Sequence, residues 1–353
     1  MNESVSQYTV GMDIGDQSIS ICVLNSAGGI DRRTTIATRK ESIVLFFKTL
    51  APPEVVTIAI EAGSHSPWVS HLLSNLGFRI LVANARALRF IWGVDNKTDA
   101  LDAERLARVA RFDPELLHPI QHRGQEAHID LATIKARDVL VRSRVALINH
   151  VRGTCKAVGI HLRKCSTATF TKMIFTEAFL GGLQEAIVPI LESIDKISDQ
   201  IRELERQIKI LSRQKYPETQ KLEQVTGVGA VTALAFVLTL EDPYRFKKSR
   251  DVGPYLGLIP KKDQSGLLDK PLAITKSGNK YLRRLLVGSA NYIMGSFGPD
   301  CDLRRYGDRI ANRGSTIARR KAKVAVARKL SVLLHRLWIT DDEYRPLMKQ
   351  KAA

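Results

Sequence analysis

Four carboxylates stand where a chain can gather metal ligands. Asp13 follows the apolar run Val10-Gly11-Met12, Glu61 closes Thr57-Ile58-Ala59-Ile60-Glu61, and Asp99 and Asp102 stand three apart in Asn96-Lys97-Thr98-Asp99-Ala100-Leu101-Asp102-Ala103. A helix would present the last two on one face. Such hard oxygen donors suit a pair of Mg²⁺ or Mn²⁺ ions, which can activate an attacking oxygen, stabilise a leaving oxygen and clamp a phosphodiester between them. Singly, Asp99 is also explained as a helix N-terminal acid and Asp102 as a surface partner of Arg105 or Arg108. Asp13 and Glu61 resist that reading, because an acid directly after apolar strand residues is costly to bury unless paired or metal-bound. Asp16 and Asp95 rank lower as substitutes, and His65 and His71 read as surface residues.

Two strand ends and one helix must therefore converge. Residues 8–14 and 18–24 are short β-rich runs separated by Gly15-Asp16-Gln17, which predicts a hairpin, and 30–38 can pair as a third strand. Helices are expected at 42–50, 67–76 and 98–111, with buried strands at 55–60 and 78–82. Three strands followed by alternating helices and strands describe an α/β layer with a mixed sheet, the order of a ribonuclease-H-like fold.

The middle of the chain has another character. Residues 125–159 read as helix, and 185–213 as a helix with Ile187, Ile190, Ile194, Ile197, Ile201, Leu204, Ile208 and Leu211 on one seam. Spacings that alternate three and four make a coiled-coil stripe, which needs a partner helix. The heptad does not say whether that partner is the preceding helix of this chain or the same helix of a second protomer.

Charge is concentrated at the other end. Residues 1–112 carry 12 Lys+Arg against 11 Asp+Glu, residues 113–243 carry 17 against 16, and residues 244–353 carry 25 against 9. A positive field confined to one region attracts a polyanion and releases its counterions, which points to nucleic acid. Near its start, a helix, Gly227-Val228-Gly229 and a second helix form a helix-hairpin-helix pattern whose backbone N–H groups can hold a phosphate. A tight turn with no ligand fits the same residues. Lys261, Lys262, Lys276, Lys280, Arg283, Arg284, Arg319, Arg320, Lys321 and Lys323, with Lys247, Lys248, Arg250, Arg328 and Lys329, are candidate phosphate contacts.

A length of 353 residues allows more than one domain. No apolar run nears the roughly 20 residues of a membrane span and no signal-peptide core opens the chain, so a cytoplasmic protein without a membrane partner is expected. Cys22, Cys155, Cys165 and Cys301 are scattered and read as reduced thiols.

Here the residues resemble a known family. Gly11-Met12-Asp13-Ile14-Gly15, Ile60-Glu61-Ala62-Gly63 and the Asn96 to Ala103 block are similar to the three blocks of the DEDD insertion-sequence transposases with a RuvC-like N-terminal domain. Gly227-Val228-Gly229, Tyr255-Leu256-Gly257-Leu258-Ile259-Pro260 and Ile274-Thr275-Lys276-Ser277-Gly278-Asn279-Lys280-Tyr281-Leu282-Arg283-Arg284 resemble that family's C-terminal transposase domain. The resemblance covers most of the chain, in the family's order. It implies a RuvC-like domain at 1–118, a helical coiled-coil region at 119–217 and a basic, mainly helical transposase domain at 218–345.

The resemblance also implies a site-specific recombinase that cuts and rejoins donor and target double-stranded DNA, guided by a structured bridge RNA. In that family the acids hold divalent ions and a C-terminal serine is the nucleophile; the matching residue is Ser265. Taken alone, Ser265 is only a serine in a polar turn, not preferred to Ser277 or Ser289. The family further implies a dimer or tetramer in which one protomer's acids serve another's serine, nucleoid-associated when on DNA. The segments after Glu61 and after Ser265 are less Gly/Ser-rich than the family pattern. Two rival readings are a hydrolytic RuvC-like structure-selective endonuclease with the same acids, and a non-catalytic nucleic-acid-binding protein.

Overall fold

The first three strands, β1 (Tyr8–Ile14), β2 (Ser18–Leu24) and β3 (Ile30–Ala37), form an antiparallel meander, with β1 and β2 joined across Gly15, Asp16 and Gln17. After α1 (Lys40–Leu50) the chain enters β4 (Val56–Glu61), crosses through α2 (Ser66–Asn75) to β5 (Arg79–Ala83), and continues to α3 (Asp99–Phe112). β4 lies parallel to β1 and β5 parallel to β4, which makes one mixed sheet of order β3-β2-β1-β4-β5. This is a computed structural model; it describes residues 7–85, 88, 98–176, 181–261, 264–265, 268–269, 272–340 and 342–347. Two compact units make up the chain, Met1–His128 and Ile129–Ala353.

Both faces of the central strands are buried, which is why β1 and β4 read as near-continuous apolar runs. Val10, Met12, Ile58 and Ile60 face one side, packed with Ile43, Phe46 and Phe47 of α1 and Val69 and Leu73 of α2. The other face is built from small residues. Gly11, Cys22, Ala59 and Ala83 leave room for α3 to lie directly on the sheet through Ala103, Leu106, Ala107 and Ala110.

The second unit begins within α4 (Gln125–Ala157), followed by α5 (Phe170–Thr176) and α6 (Gln184–Gln214). Arg137 bonds Glu205, Arg144 donates to Ser198 at 3.2 Å, and Val151 shares a core with Leu191, so the sequence ascends one helix as it descends the other. α4 and α6 are therefore an antiparallel pair within this chain. Of the predicted seam, Ile187, Ile194, Ile201 and Ile208 are buried, while Ile190, Ile197, Leu204 and Leu211 are half-buried.

Beyond the pair come α7 (Thr219–Glu223), α8 (Ala230–Leu240), α9 (Val252–Tyr255), a hairpin of β6 (Gln264–Ser265) and β7 (Leu268–Asp269), α10 (Lys280–Ile293), α11 (Asp302–Ala311) and α12 (Thr316–Thr340). α8 is buried from Thr232 to Leu240 and forms the centre of this region. His335 of α12 is fully buried; its Nε2 donates to the Pro243 carbonyl at 2.8 Å and its Nδ1 lies 3.0 Å from Ser249 Oγ. No helix among the described residues is long and apolar enough to cross a membrane.

Candidate active site

Strand register and helix direction bring the four predicted acids to one end of the sheet. Gly11 pairs with Ala59 and Met12 with Ile60, so continuing the parallel register sets Asp13 beside Glu61 at the carboxyl ends of β1 and β4. Alternation puts both on the face that Gly11 and Ala59 share, the face covered by α3. Arg111, in the last turn of α3, bonds the Ser26 carbonyl, just past β2 residue Leu24, which pairs with Thr9 at the start of β1. The helix thus runs against β1, and its first turn lies towards the strand's end.

The levels match as well. Ala103 sits over Gly11. A helix rises about 1.5 Å per residue and a strand about 3.3 Å, so four residues back to Asp99 and two forward to Asp13 both cover about 6 Å. Thr98 caps the helix, its side chain accepting from the Leu101 N–H at 3.3 Å. Asp99 is exposed, whereas Asp102 is buried at 5% exposure, with Arg105 Nη1 3.4 Å from its Oδ1. That is a long contact for a charge-assisted hydrogen bond. Among the described residues no three Asp, Glu, His or Cys side chains are grouped as a metal-holding set. The donor types nevertheless fit a hard divalent cation, since each is a carboxylate and their three elements meet at one sheet end.

α3 is held there by charge. Glu104 bonds Arg33 of β3 and, at 2.8 Å, Arg108 one turn on. The Arg108 hydrogen bond, helped by Arg33 against the opposing effect of burial, holds the Glu104 carboxyl below the usual carboxylate range.

Around this end lie histidine pairs that sequence reasoning did not find. Trp68 Nε1 donates to His65 Nδ1 at 3.1 Å, which leaves Nε2 as the ring N–H that reaches Asp16 Oδ1 at 2.9 Å. This ties the β1–β2 turn to the segment after Glu61. His122 Nε2 lies 2.8 Å from the Ser66 hydroxyl, and His71 Nε2 lies 2.7 Å from the Arg123 carbonyl. Burial, with the neighbouring charges of His71, Arg123 and His128, pushes the His122 pKa down.

In the second unit, two sequence blocks interlock. Gly257 and Gly278 both take positive φ, 66° and 70°. A methyl on Gly257 would meet the Ser277 backbone at 2.3 Å, and one on Gly278 the Tyr255 carbonyl at 2.0 Å. Arg283 fastens the pair, its Nη1 donating to the Leu256 carbonyl at 2.8 Å and the Ser277 carbonyl at 2.6 Å. Arg284 is likewise engaged, by Asp138 of α4. Lys261, Lys276, Lys280, Arg319, Arg320 and Lys321 are exposed and Lys323 is half-buried; Lys262 lies outside the described residues.

Ser265 ends β6, opposite Leu268, at the tip of a hairpin whose base is held by Lys261 N–H to Ala273 and Thr275 N–H to Ile259, both 2.9 Å. Gly227 makes the turn before α8 with φ 85°, close against Ser289, Tyr292 and Ile293 of α10, while the space beside Gly229 is open.

Comparison with known proteins agrees in both units. A DEDD transposase family of the IS110 group matches residues 10–159, and the Transposase IS116/IS110/IS902 family matches residues 219–306. The chain is 25% identical to a transposase for insertion sequence element IS1111A of Coxiella burnetii, over 95% of this chain and 91% of that one. It is 27% identical to a probable family 20 transposase of Pseudomonas aeruginosa, over 96% and 98%. A transposase for insertion sequence element IS1328 of Yersinia enterocolitica is 29% identical over 81% and 83%.

Proposed function

The chain belongs to the DEDD-type insertion-sequence transposases, enzymes that act on DNA, and on that premise we propose that it cuts and rejoins DNA with Ser265 as nucleophile and Asp13, Glu61, Asp99 and Asp102 as metal ligands. The observation that carries this reading is the shared sheet end, where parallel register aligns Asp13 with Glu61 and α3 brings Asp99 to their level, with Asp102 nearly one helical turn behind it. The strand order β3-β2-β1-β4-β5 supports a ribonuclease-H, RuvC-like assignment for the first unit.

The family implies a divalent metal, here Mg²⁺ or Mn²⁺. When bound, it would supply charge stabilisation to the phosphoryl oxygens. Each acid has its own part. Asp13 and Glu61 would hold the ion from paired strands, while Asp102 is held in the packed face of α3 and Asp99 faces solvent. Ser265 would form an Oγ–P bond to the scissile phosphate, its hydroxyl proton passing to the displaced sugar oxygen. A phosphoserine link keeps the bond energy for rejoining by the reverse step on a second strand. A short hairpin is a suitable mount for such a serine. We further read the chain as working as a dimer or tetramer, guided by a structured RNA.

The test is a set of variants assayed on double-stranded DNA with Mg²⁺. Asp13→Asn and Asp102→Asn should abolish cleavage, and Ser265→Ala should abolish both strand exchange and any protein–DNA adduct that survives denaturation. Cleavage persisting in Ser265→Ala would make the enzyme a hydrolytic nuclease. Full activity in the acid variants would make the acids structural. Sequencing RNA that co-purifies with the chain tests guidance.

A further inference from the structure

α11, α12, the base of the β6–β7 hairpin and the segment around Tyr344 enclose a groove of about 1190 Å³. Its floor is apolar, formed by Leu258, Ile274, Leu303, Ile310, Val324 and Val332. Its rim is basic, with Arg313, Arg320, Lys321, Arg328, Lys329 and Arg345. Two tyrosines stand in the wall; Tyr306 has the Lys329 ammonium 3.9 Å from its ring centre, and Tyr344 is half-buried.

This combination discriminates between nucleic-acid forms. A duplex offers phosphates outward but keeps the flat faces of its bases stacked inside, so an apolar floor gains nothing from it. An unpaired strand offers both, and proteins that hold one combine a cationic track with apolar and aromatic platforms. The volume exceeds the roughly 300–1,000 Å³ of small-molecule pockets, which suits a run of a polymer. The rim supplies charge complementarity in the region that holds most of the chain's net charge of +18. Leu272 and Ile317, at 41% and 64% exposure, extend the apolar surface to the groove's edge.

We propose that this groove holds an unpaired stretch of DNA, its phosphates on the α12 rim and its bases on the apolar floor, next to the hairpin that carries Ser265. The inference rests on the DNA-handling reading above but is separable from it. Strands opened during cutting and exchange are the source of such a ligand.

Binding of the full chain to a mixed-sequence single-stranded DNA oligonucleotide, to its duplex and to an RNA of the same sequence, read by fluorescence anisotropy across a salt series, tests it. Single-stranded DNA should bind at least about tenfold tighter than duplex. The double variant Ile317→Gln, Leu272→Gln changes exposed apolar positions without changing charge. It should erase that preference, leave duplex binding unaltered and keep the salt slope. Arg320→Gln with Lys321→Gln should weaken both forms and lower the slope for single strands by about 1.4. Equal affinity for single strand and duplex, an unaltered preference in the apolar variant, or tighter binding of RNA than DNA would overturn the proposal. So would a change of oligomeric state in the apolar variant, since it would assign the groove to a second copy. Failure to bind any of the three nucleic acids would instead overturn the functional reading itself.

Discussion

Gly11 of β1 lies directly beneath Ala103 of α3: a methyl group at residue 11 would stand 2.0 Å from the Ala103 carbonyl oxygen and 2.5 Å from the Ala107 nitrogen. Both obstacles are helix backbone, so no side-chain rotation relieves them. This contact sets the height of α3 over the sheet, and with it the level of Asp99 and Asp102 against Asp13.

Gly11→Ala should therefore destabilise the first unit by about 3 kcal/mol or more, the upper range for overpacking. DNA cleavage should be lost even at temperatures where the variant is folded, because the helix bearing two of the acids is lifted. Chemical denaturation and a cleavage assay on the same preparation check this. A stable, fully active variant would show that the spacing between α3 and β1 does not matter.

Much of the scaffold beneath these acids was legible in the sequence. The ends of β1 and β2 follow from dense apolar runs interrupted by Gly15-Asp16-Gln17, and α3 from the Thr98 cap ahead of periodic Ala and Leu. Direction was not legible. That α3 opposes β1 emerges only from contacts such as Arg111 with Ser26, 85 residues apart. The same applies to His65 with Asp16 and Ser66 with His122, whose partners stand 49 and 56 residues away. α11 went unforeseen because its apolar positions are few and Gly307 interrupts them. The structure explains that glycine, since Met294 and Val326 press within 2.8 Å of where a side chain would begin. The heptad predicted a partner for α6 without naming it, and Ile187 and Ile194 of the seam share a core with Ile148, Val151 and Cys155 of α4 in the same chain.

Acid should weaken the first unit in two steps. His122 has a folded pKa below its ordinary value of about 6.5, so its contribution is complete above that pH and is lost as pH falls towards the lower folded value. Glu104 is likewise depressed, and its contribution disappears as pH falls from about 4.3 through its own folded value. Thermal melts across pH should show the upper step vanish in His122→Gln and the lower step shrink in Glu104→Gln. Unchanged profiles in both variants would remove these two groups as the cause.

Arg283 and Lys280 separate positioning from phosphate contact. Arg283 donates to two carbonyls that join the Gly257 and Gly278 turns, whereas Lys280 is exposed. Arg283→Lys cannot reproduce the planar fork and should cost about 1–2 kcal/mol of stability while leaving the salt slope of duplex binding unchanged. Lys280→Gln should leave stability within about 0.5 kcal/mol and lower that slope by about 1. A lowered slope in Arg283→Lys would make it a DNA contact after all.

Tyr281 tests the opposite side of burial. Its hydroxyl is buried and has no hydrogen-bond partner among the described residues, and desolvation together with nearby Asp138 pushes its pKa up to about 12. The Arg284 guanidinium sits 5.2 Å over the ring centre, so the ring has a packing role that the hydroxyl does not share. Removing only the oxygen relieves a desolvation penalty without opening a cavity. Tyr281→Phe should thus be neutral or stabilising by up to about 1 kcal/mol, whereas Tyr281→Leu should destabilise by about 1–3 kcal/mol through lost ring packing. Urea denaturation of the three chains decides it. If Tyr281→Phe is destabilised by more than about 1 kcal/mol, the hydroxyl has a partner that acts in solution, and the junction of α4 and α10 around Asp138 is organised by that bond and not by the ring.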